Sequence, residues 1–172
     1  MSAGEGLDIG YIARTTLDGV VAHFAASEVE LPERRVIVPG EPRSAAWENC
    51  EALTVGCAGV LWGQGPGTGS GTARRTGTPV LVGERHVVIV VQLIRCVPVS
   101  FDEADPDELT EAGLTVMRDM GLLSQALVEL CGRAGALKSM GAALAGGVEM
   151  VGPEGCLVAS EGSLTVTAGK LI

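Results

Sequence analysis

A chain of 172 residues suits one domain, and with 47% hydrophobic but only 3% aromatic residues its core is expected from Val, Leu, Ile and Ala. Its net charge of −9 excludes a basic footprint that would grip nucleic-acid phosphates. Five dispersed cysteines, at 50, 57, 96, 131 and 156, include no C-x-x-C pair, which argues against a zinc site or a disulfide framework and fits synthesis in a reducing cytoplasm.

The first residues, Met-Ser-Ala-Gly-Glu-Gly, carry no basic segment and no following apolar stretch, so no signal peptide is expected. Asp8 to Ala26 reads as a helix, because Ile9, Ile12, Ala13, Leu17, Val20, Val21 and Phe24 recur at helical spacing. Gly19 weakens it slightly. Val36-Ile37-Val38 lies between Pro32 and Pro39 and predicts a short strand. Trp47 to Leu61 predicts a second strand, with Gly56 and Gly59 marking a bulge or a close backbone approach.

Residues 63–78 read as a flexible glycine-rich loop, with Gly65, Gly67, Gly69 and Gly71 at its centre and Arg74 and Arg75 near its end. Pro79 to Val99 predicts a long strand or a bent pair, with a break near Gly83. Val87 to Cys96 is apolar on both faces and should be a central strand covered on both sides. Gln92 and Arg95 interrupt the longest apolar run, so nothing is expected to span a membrane.

Asp102, Glu103, Asp105, Asp107 and Glu108 form an acidic connector into a second helix, with Asp105 as N-cap and Pro106 in the first turn. The spacing carries that helix to about Leu137, with Leu109, Leu114, Met117, Met120, Leu123, Leu127 and Leu130 as its apolar stripe. Beyond it, Gly146-Gly147, Gly152-Pro153 and Glu161-Gly162 are turn signals separating strands at Val148–Val151, Cys156–Ala159 and Leu164–Thr167. The order is α-β-β-β-α-β-β, with room for one more strand. It describes an α/β (α+β) single domain over residues 1–172: a mixed β-sheet flanked by an N-terminal helix and one long central helix.

The residues offer little chemistry. Neither His23 nor His86 has metal-ligand spacing, and Gly69-Ser70-Gly71 has no helix after it to present a nucleophile. The glycine loop lacks Gly-Lys-Ser/Thr, and Pro66 removes a donor, so a phosphate cradle is disfavoured. The connector lacks the Asp-x-Asp-x-Asp-Gly pattern of a calcium loop. No catalytic residue, cofactor or metal is expected, and the chain reads as a non-enzyme.

Leu31-Pro32-Glu33-Arg34-Arg35-Val36, then Trp47-Glu48-Asn49-Cys50-Glu51-Ala52-Leu53, and later Gln92-Leu93-Ile94-Arg95-Cys96-Val97-Pro98, resemble tail-terminator proteins of siphophages that infect actinobacteria. The long helix with Cys131 near its end and the Gly/Pro-rich β region from Gly147 to Gly169 extend the resemblance over most of the chain, and the glycine loop departs from it. The resemblance implies a structural virion protein of the tail and neck. It would be a homo-oligomeric ring, commonly a hexamer, capping the head-proximal end of the tail tube. Its partners would be itself, the major tail tube protein and the head-tail connector or stopper, with DNA passing through the lumen without specific binding. Another neck component, such as a stopper or tail-completion protein, is the runner-up, and a small ligand-binding α/β module comes third. For subunit contacts, Arg34, Arg35, Arg74, Arg75 and Arg95 are the candidate cations, and Asp102, Glu103, Asp105, Asp107 and Glu108 their candidate counterparts.

Overall fold

The computed structural model describes residues 8–42, 51–63, 84–97, 105–132, 134–154 and 156–168. Helix α1 (Ile9–Ala26) starts where the Asp8 carboxylate accepts the Tyr11 N–H at 3.1 Å. It stops at Ser27, after which Glu28 takes a left-handed φ of 56°. The chain then forms β1 (Arg35–Val38), β2 (Ala52–Gly63) and β3 (Glu84–Cys96). Helix α2 (Pro106–Cys131) follows, capped by Asp105 with Pro106 in its first turn, as the sequence predicts. A 3-10 turn (Ala136–Met140), β4 (Ala142–Glu154) and β5 (Leu157–Ala168) complete it.

The strands form one mixed sheet in the order β1-β2-β3-β5-β4, in which β1 runs parallel to β2 and the other neighbours are antiparallel. This is the mixed α/β domain expected from the element order. Both helices cover one face. Alternate residues Val87, Ile89, Val91 and Leu93 of β3, with Leu164 and Val166 of β5, pack against Ile12, Val20 and Phe24 of α1 and Leu123 and Leu127 of α2. On the other face His86, Val90, Gln92 and Ile94 are also buried, so β3 is covered on both sides, as its apolar run predicts.

Two glycines were read correctly as backbone features. A Cβ at Gly56 would sit 2.1 Å from the Gly40 carbonyl oxygen, because the turn after β1 folds back over β2. Gly59 lies at the register shift between Cys57 and Gly59, and this is the predicted bulge.

Four expectations need correction. Helix α2 ends at Cys131, not near Leu137: a Cβ at Gly135 would lie 2.1 Å from the Leu130 carbonyl oxygen, so a tight turn replaces the last helical turns. Its stripe is rotated, with Val116, Asp119, Leu123, Ala126, Leu127 and Leu130 buried while Leu114 and Met117 face solvent. The C-terminal β region holds two long strands rather than three short ones. Gly146-Gly147 lies in a β4 bulge, and Glu161-Gly162 lies inside β5, where Gly162 lets Leu127 and Val148 close in. Finally, Cys96 is disulfide-bonded, although the dispersed cysteines argue against disulfides.

Candidate functional site

Arg95 anchors the most connected polar cluster. It leaves the end of β3 on the helix-bearing face and is 12% exposed. Its Nε donates to Asp119 Oδ2 at 2.8 Å, one terminal nitrogen to Glu51 Oε2 at 3.4 Å, and the other to the Glu30 carbonyl at 3.0 Å. Asp119 is fully buried in α2, and its second oxygen has no partner. Arg95 therefore joins β3, α2, the start of β2 and the segment after α1. All three of these contacts are made within the subunit.

The other candidate contacts separate by position. Arg34 and Arg35 are exposed at the start of the β1 edge, where the Arg35 Nε also donates to the Pro32 carbonyl at 3.1 Å. Asp105, Asp107 and Glu108 are exposed at the N-terminus of α2. Across the sheet order, β1 and the β4/α2 side are opposite margins, so these basic and acidic groups do not meet within one subunit. Arg74, Arg75, Asp102, Glu103 and the glycines at 65, 67, 69 and 71 lie outside the described residues.

Each histidine makes a side-chain contact to a neighbouring element. His86 is buried in β3 and lies 2.9 Å from the Thr167 hydroxyl on β5. The His23 Nδ1–H donates to Glu129 Oε2 at 2.9 Å and ties α1 to α2. A groove of about 430 Å³ runs beside that pair, lined by small residues including Gly19, Ala22, Ala26 and Ala126. A Cβ at Gly19 would meet Leu130 at 2.4 Å, so this glycine sets the close approach of the two helices. Among the described residues no group of three or more His, Cys, Asp or Glu side chains could hold a metal ion. No described helix is long and apolar enough to cross a membrane.

Sequence reasoning missed one surface. At 100° per residue, Leu114, Met117, Gly121 and Val128 fall within an arc of about 60° on α2. α1 packs on the side of α2 that carries Ala126, Glu129 and Leu130, while the stripe lies on the flank turned from α1 towards the β4 margin. Leu114, Met117 and Val128 are 61%, 68% and 59% exposed, and Met150, on the same sheet face at β4, is 56% exposed. The signal was present as a second apolar row, offset from the row that enters the core. No protein-family model and no curated protein matches the sequence.

Proposed function

We propose that this chain is a structural virion subunit, a phage tail terminator that forms a ring at the head-proximal end of the tail tube and joins the tail to the head-tail connector. The observation that carries the reading is the coherence of the resemblance. The Arg34–Val36, Glu51–Leu53 and Gln92–Cys96 segments fall on neighbouring strands, and Arg95 links the last two to α2. The surface supports it too. A ring needs two different patches that are complementary to each other, and this subunit has a β1 margin that carries Arg34 and Arg35 and a β4/α2 margin with acidic and apolar side chains. A net charge of −9 also suits a conduit that does not hold passing DNA phosphates.

The test is to mix the purified protein with tail tubes and measure it by mass photometry and negative-stain imaging. The expected result is a ring of defined mass seated on one end of each tube, with tube growth stopped. A protein that stays monomeric and never caps a tube overturns the reading. A ring that binds the connector and ignores tubes replaces the terminator with a stopper.

A further inference from the structure

We propose that the β4 edge and the outer flank of α2 form a docking surface for the β1 edge of a second copy of this chain, so that the sheets of neighbouring subunits run on into one another. The proposal rests on the ring reading and specifies its contact.

The first observation is the edge itself. β4 is 13 residues long, stands at one end of the sheet order, and pairs with β5 alone among the described strands. Between its two register shifts, over Val148–Val151, alternate backbone N–H and C=O groups on its outer side are oriented for another strand. Its sequence, Ala142 to Glu154, carries no Lys or Arg to repel one. The second observation is the wall above that edge. Leu114, Met117 and Val128 of α2, with Met150 of β4, expose apolar surface that one subunit leaves unburied.

The occupant follows from strand sense, face and charge. Along the sheet, β1 and β2 run one way, β3 the other, β5 the first way again and β4 the other. A copy turned about an axis along the strands keeps its helices on the same side. It then presents its β1 antiparallel to β4, the sense of pairing the rest of the sheet prefers. β1 brings Arg35 and Ile37 on its helix-bearing face, both exposed. Ile37 suits the Met117–Met150 surface, and Arg35 suits the acidic first turn of α2 with Asp105, Asp107 and Glu108. A two-fold contact of β4 with its own copy would instead set two strands side by side that each carry Glu149 and Glu154 and no Lys or Arg.

The test places a benzophenone amino acid at position 150 of the full chain and mixes heavy- and light-isotope protein before irradiation. The expected product is a mixed-isotope cross-link from position 150 to a peptide that contains residues 35–38. Met117→Glu with Met150→Glu should abolish the oligomer while thermal unfolding is unchanged, and Leu114→Glu serves as a second variant. Cross-links to residues 142–154 of another copy, or an oligomer that survives these variants, overturn the docking proposal while leaving a ring intact. An absence of any oligomer, alone or on tubes, removes the ring reading and the proposal together.

Discussion

A carboxylate in the middle of a helix costs several kcal/mol to bury unless a cation meets it, and Asp119 meets Arg95 at 2.8 Å. Removing the acid takes the closest counter-charge from a guanidinium that is 12% exposed and leaves it Glu51 at 3.4 Å and the Glu30 carbonyl. Asp119→Ala is therefore expected to lower the unfolding free energy by about 3–5 kcal/mol, measured by urea denaturation. Glu51 touches the same Arg95 from a half-exposed position, so Glu51→Ala should cost about 0–1 kcal/mol by the same measurement. Burial pushes the Cys131 thiol above its ordinary range. A folded-state value above the unfolded one favours the fold while the thiol is neutral. That contribution is lost as pH rises through the thiol range. Cys131 should alkylate more slowly in the native than in the denatured protein at mildly alkaline pH, and mass spectrometry of the labelled peptides reads the difference.

At the scale of elements, the sequence was legible wherever one residue type decided the outcome. Asp8, Asp105 and Pro106 marked both helix starts because capping is a local hydrogen bond. The β3 run announced a buried strand because its apolar residues occupy both faces. It was less legible where a distant partner decided. Gly162 looked like a turn, yet it is the gap in β5 into which Leu127 descends, 2.6 Å from where a Cβ would stand. Gly162→Val should lift α2 from the sheet and cost about 1–3 kcal/mol in denaturant melts, as overpacking does. The apolar row of α2 was likewise ambiguous, since two rows exist and the positions of the sheet and α1 decide which one enters the core. Cys96 was misread because its disulfide is a tertiary contact and spacing alone does not encode one. In denaturant without reductant, iodoacetamide should label Cys57 and Cys131 but spare Cys96, which becomes reactive after reduction.

At the scale of the whole molecule, the described candidate contacts other than Arg95 lie at two margins of the sheet. Of the candidate contacts, the described ones divide into a β1 side and an α2 side, with Arg95 withdrawn into the interior. Such a division is invisible in a linear sequence, because only the sheet order sets which ends are opposite. Attraction between exposed margins is screened over about 10 Å at 0.1 M salt. Arg35→Glu should therefore weaken self-assembly and flatten its salt dependence while leaving the melting curve of the subunit unchanged, read by sedimentation across a salt series.

The place of β5 between β3 and β4 has a consequence for biosynthesis. β5 is the last of the described strands to leave the ribosome, yet it fills the middle of the sheet. Until Leu157–Ala168 has emerged, the nascent chain holds β3 with one ladder unmade and α2 with no floor beneath Leu123 and Leu127. β4 must wait unpaired for the strand that follows it. During that interval the Val87–Ile94 run is a β-prone surface, rich in Val and Ile, and crowded polysomes offer it the same run on neighbouring chains. Yield from rapid translation should thus be limited by how soon the final hairpin closes, rather than by the stability of the finished subunit.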